Sequence, residues 1–106
     1  MREQPNLSYI NQMSGGDKDF EEKLMGIIKI EYPKEKQTYL HNIEAKKYKD
    51  SADNVHKLKH KISILGLEKS YGIAVTYEEN LLNGKEDGRK DFEAILDTIT
   101  DYLETF

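Results

Sequence analysis

The segment Val55-His56-Lys57-Leu58-Lys59-His60-Lys61-Ile62-Ser63-Ile64-Leu65-Gly66 holds the residues best suited to chemistry. At about 100° per residue, Val55, Leu58, Ile62 and Leu65 share one narrow helical face, and His56 falls about 140° from its middle. Lys59, His60 and Ser63 lie near His56, one turn further on. An imidazole standing clear of a core is a good nucleophile near neutral pH, because much of it is unprotonated. Attack on an acyl phosphate would leave the phosphoryl group on nitrogen. A lysine three residues later, on the same side of the helix, would offset part of its charge. His56 is therefore the candidate nucleophile and Lys59 the candidate phosphate-supporting cation. Lys57, His60, Lys61 and Ser63 are candidate docking residues, since local positive charge in an acidic chain steers a helix toward an acidic pocket on a partner.

Each of these residues also has a plainer reading. An exposed helix histidine and a run of lysines are usually just solvated surface. His56 and His60, four apart, form a pair that can chelate zinc or copper weakly, with no Cys, Asp or Glu expected on that face to complete a tight site. His41 has no companion motif and reads as a surface residue.

These side chains need rigid elements, and the chain reads as five helices. The first covers about 6–13, with Leu7, Ile10 and Met13 inward. Ser14-Gly15-Gly16 breaks it, and Asp17 is placed to cap a second helix over 17–46, with Asp19, Glu21 and Glu22 in its first turn, where negative charge suits the helix dipole. Phe20, Leu24, Ile27, Ile28, Tyr39, Leu40 and Ile43 form its apolar side. Pro33 predicts a kink in one helix rather than two helices, because the apolar pattern resumes without a spacer. A polar connection from Lys46 leads to a third helix over 51–65, capped by Asp50 or Ser51 and carrying the His56 segment. The fourth spans 68–82, with Tyr71, Ala74, Tyr77 or Glu78, and Leu81 inward. Asn83-Gly84 stops it, and the last spans 89–106 on Phe92, Ile95, Leu96, Ile99, Tyr102, Leu103 and Phe106. The expected fold class is all-α, an antiparallel four-helix bundle with a short extra N-terminal helix, in one domain over 1–106.

Composition narrows the function further. The 106 residues carry 16 Lys+Arg against 20 Asp+Glu, for a formal net charge of -4, and no Cys. A disulfide scaffold, a thiolate metal site and a cysteine nucleophile are excluded. The acidic balance, and a basic segment without interleaved aromatics, argue against nucleic acid. No run approaches the roughly 20 apolar residues of a membrane span, and no apolar signal core follows Met1-Arg2-Glu3-Gln4-Pro5. A cytoplasmic location without membrane association is expected.

The spacing of His56, Leu58, Lys59 and Leu65-Gly66 resembles the motif of the histidine-containing phosphotransfer (HPt) domain family: histidine, any residue, leucine, lysine, usually glycine, small residues, then Leu-Gly. Gly15-Gly16-Asp17 followed by a helix with Phe20 is similar to the family upstream. Downstream, Tyr77-Glu78 falls where the family often has Leu-Glu, and Asn83-Gly84 falls at its usual turn. The likeness covers nearly the whole chain. Where the family usually has a small residue four positions after its histidine, this chain has His60, and Lys61 and Ile62 also replace residues that are commonly small. The resemblance implies a phosphorelay carrier without kinase activity or cofactor of its own. Its partners would be response-regulator receiver domains, which supply magnesium, and a hybrid sensor histidine kinase; a monomer is expected. The alternative from the same likeness is a module that docks a receiver or kinase and passes no phosphate, because His60 crowds the site.

Overall fold

A computed structural model describes residues 3–106. Five helices and no strand occur among them: α1 (Ser8–Ser14), α2 (Lys18–Glu44), α3 (Tyr48–Ile64), α4 (Glu68–Leu82) and α5 (Arg89–Leu103). The fold is all-α. α2 packs on α3, α3 on α4 and α4 on α5, while α1 lies against α2.

Local chemistry explains most of the boundaries. Asp17 caps α2 as expected, its carboxylate accepting from the Phe20 amide at 3.2 Å. α2 then runs through Pro33 without a break. α3 begins at Tyr48, before the expected start, and neither Asp50 nor Ser51 caps it. Ser51 is buried inside the first turn instead, its hydroxyl donating to the Lys47 carbonyl at 2.8 Å. The α3–α4 turn depends on Gly66, at φ +75°. The backbone angle favours glycine, and a Cβ there would stand 2.6 Å from the Asn6 side chain and push it aside. Asn6 also donates its backbone N–H to the Leu65 carbonyl at 2.9 Å, which ties the N-terminal segment across this turn. α5 stops at Leu103, short of the expected Phe106.

The core is built from Ile10, Ile28, Tyr39, Ile43, Val55, Leu58, Ile62, Leu65, Ala74, Tyr77, Leu81, Phe92, Leu96 and Ile99, joined by Met25, Tyr32 and Leu67. Met13, Phe20, Ile27, Tyr71 and Phe106 are exposed, contrary to the inward positions that spacing gave them. The cause on α2 is helical phase: Met25, Ile28, Tyr32, Tyr39 and Ile43 set its buried face, and Phe20 and Ile27 fall more than about 100° from the middle of it. Buried hydroxyls are partnered: Tyr32 donates to the Leu96 carbonyl at 2.6 Å, which ties α2 to α5. No helix among the described residues is long and apolar enough to cross a membrane.

Candidate functional site

The outward side of α3 is rigid because its opposite side is fully buried. Val55, Leu58, Ile62 and Leu65 have no measurable exposure. His56, on the outward side, has a side chain 55% exposed. Its ring does not float free. Glu78, projecting from α4, places Oε2 3.2 Å from His56 Nδ1. A carboxylate only accepts, so Nδ1–H is the donor and, in the neutral ring, Nε2 holds the lone pair. Glu78 thereby selects the tautomer and aims the unshared nitrogen away from α4.

The same carboxylate holds Lys59. Glu78 Oε1 stands 2.9 Å from Lys59 Nζ, a close charge contact that is not aligned as a hydrogen bond. The Lys59 side chain is only 13% exposed, and its ammonium also lies 5.8 Å from the centroid of the Tyr71 ring, a cation–π placement. Tyr71, expected in the core, instead forms part of this half-exposed rim. Glu78, left undecided between core and surface by the spacing of α4, is the residue that organises the site. It contradicts the expectation that no acidic side chain would stand by His56.

The remaining candidates divide. His60 is exposed one turn beyond His56, and the two rings meet edge to face with centroids 5.2 Å apart. Lys57 and Ser63 are exposed on the same helix. Lys61 is a correction. It is buried and turned toward α2, where its Nζ lies 3.1 Å from Glu31 Oε1 and 3.0 Å from Glu35 Oε1. The reason is helical phase: Lys59 and Lys61 each sit about 80° from the middle of the buried face, on opposite flanks. Each therefore runs its aliphatic stem along the seam beside it and delivers its charge to the neighbouring helix. Lys61 helps fasten α3 to α2 and is not part of a docking surface.

No family model, curated protein or solved structure matches this chain. The functional reading therefore rests on the site itself. Among the described residues, no group of three or more His, Cys, Asp or Glu side chains is arranged to hold a metal. What the geometry offers is a nucleophilic nitrogen, oriented by a carboxylate, on a helix face that another protein can reach.

Proposed function

We propose that this protein is a histidine phosphotransfer carrier, an HPt-like antiparallel four-helix bundle with α1 as its extra helix, working in the cytoplasm. The observation that carries the reading is the placement of His56: exposed, on the motif spacing, with Nδ1 engaged by Glu78 and Nε2 outward. In the reaction, the Nε2 lone pair attacks the phosphorus of an aspartyl phosphate on a receiver domain. The P–Nε2 bond forms as the P–O bond breaks, and the aspartate leaves as a carboxylate. Nδ1–H stays on Glu78 throughout, so the positive charge that develops on the ring is met by a fixed anion. Transfer to a second receiver reverses these steps. The receiver supplies magnesium and its acidic pocket; this chain supplies position and nucleophile.

A second reading, a module that docks a receiver without taking phosphate, is favoured by the crowding of His56 by the His60 ring. One experiment separates them. The protein is mixed with a receiver domain charged by acetyl phosphate, beside His56→Gln. Acid-labile phosphate on the wild type and none on the variant supports the carrier. Complex formation with no label on the wild type supports the docking module. Label retained by His56→Gln overturns His56 as acceptor.

A further inference from the structure

The motif assigns the phosphoryl-supporting charge to Lys59, but in this chain Lys59 is already engaged. Its ammonium is enclosed by Glu78 and the Tyr71 ring, and its side chain is 13% exposed. Serving a phosphoryl group on Nε2 as well would divide its single charge between that group and Glu78. Lys61 is occupied by Glu31 and Glu35 on the opposite flank. Lys57 is adjacent in sequence to His56, and neighbouring positions on a helix do not face each other. His60 remains. It points about 180° from the middle of the buried face, against about 140° for His56. It is exposed and already in ring contact with His56.

We propose that His60, rather than Lys59, is the side chain that meets the phosphoryl group carried by His56. The inference rests on the carrier reading above and concerns the same site. An imidazole has at least one N–H to donate in either protonation state. When the P–Nε2 bond forms, the phosphoryl oxygens extend from His56 into the space beside the His60 ring, where that N–H donates to one of them. The residue that departs from the family pattern then takes the supporting role, and Lys59 serves to hold Glu78 in place.

The test uses the full chain and phosphoramidate, a small donor that transfers its phosphoryl group to imidazole nitrogen with release of ammonia, so no protein partner is needed. Peptide mapping locates the phosphate, and phosphorus NMR follows its hydrolysis at neutral pH, with exposed His41 as the internal reference. The expected result is that His60→Ala shortens the lifetime of phosphate on His56 about fivefold, the weight of one hydrogen bond. His60→Gln, which keeps an N–H of similar reach, restores most of it, and Lys59→Gln, which acts only through Glu78, shortens it less than His60→Ala does. Unchanged lifetime in His60→Ala, or a larger loss in Lys59→Gln, overturns the inference while leaving His56 as the acceptor. Phosphate mapped to His60 itself also overturns it. Labelling of wild-type His56 no faster than of His41 overturns the carrier reading and this inference together.

Discussion

Among the polar networks that cross the helix interfaces, those around Arg89 and Glu78 end differently. Around Arg89 all three guanidinium nitrogens find a carboxylate. Its guanidinium donates to Glu93 at 2.7 Å, Glu86 at 2.9 Å and Glu44 at 2.6 Å, binding α5 to its own first turn, the α4–α5 turn and the end of α2. Tyr48 donates to the other oxygen of Glu86 at 2.8 Å. Tyr39 donates to Glu93 at 3.0 Å and takes a hydrogen bond from Tyr77 at 2.6 Å, so the chain of contacts runs into the core. Burial pushes the Tyr77 hydroxyl up to about 12. Hydrogen bonds from Arg89 and Tyr48 hold Glu86 below the ordinary carboxylate range. Around Glu78 the network stops one atom short: His56 Nε2 is left over, on a half-exposed ring. A closed network holds helices together; an open one on the same scaffold presents a reactive atom.

Cutting the closed network should have the largest effect on stability and little effect on chemistry. Arg89→Met removes the common donor to three carboxylates while keeping the stem's packing. The expected loss is about 1–2 kcal/mol, since Arg89 is partly exposed and its pairs are individually modest. Urea denaturation measures it. Phosphate acceptance by His56 in buffer without denaturant should stay unchanged. A fall in acceptance at intact helicity would mean that the two networks communicate, and the contrast would fail.

Cutting the open network should do the reverse. Glu78→Ala removes the acceptor that selects the Nδ1–H tautomer and the anion that faces the phosphorylated ring. By the usual weight of such orienting partners, acceptance should fall about tenfold. Glu78→Gln, which still offers an acceptor to Nδ1–H, should keep most of the rate. The unfolding temperature of both variants should fall by less than in Arg89→Met, because the His56 end of the contact is exposed and only the Lys59 ion pair between α3 and α4 is lost. A large drop in unfolding temperature for Glu78→Ala would make Glu78 a helix fastener like Arg89.

The fold was more legible than this contrast. The stripes on α3 and α5, the Asp17 cap and the Gly15-Gly16 and Asn83-Gly84 breaks are written locally, in periodicity and turn chemistry. So was the outward position of His56, which follows from the phase of Val55, Leu58, Ile62 and Leu65. The partners of the lysines were not. Lys57, Lys59 and Lys61 alternate in sequence, which suggests one basic face, but residues two apart on a helix diverge by about 200°. Where Lys59 and Lys61 deliver their charge depends on which helices flank α3, and that is a property of the assembly. Glu78 was ambiguous for the same reason: its place at the edge of α4's buried stripe becomes a site only once α3 lies alongside. Phe20 and Ile27 misled because α2 carries apolar residues around much of its circumference, and only assembly shows that the stripe through Met25, Ile28, Tyr32, Tyr39 and Ile43 is the buried one.

A carboxylate outside both networks gives the smallest effect and the sharpest control. Glu3 reaches the start of α4, its oxygens accepting from the Lys69 amide at 3.0 Å and the Ser70 amide at 2.8 Å. Burial raises its pKa, but these backbone donors outweigh it, and the net shift is downward from 4.5. The unfolded chain therefore binds the proton more readily than the folded one. Glu3 stabilises the fold above about pH 4.5, and that contribution fades as the pH falls through its lower folded value. Glu3→Gln should cost about 0.5 kcal/mol at neutral pH, the usual scale of a carboxylate at a helix N-terminus, and the difference from wild type should shrink in acid. Because Glu3 belongs to neither network, phosphate acceptance should be untouched at every pH where the protein is folded. A stability difference that persists undiminished in acid would show that the side chain acts there through packing and not through its charge.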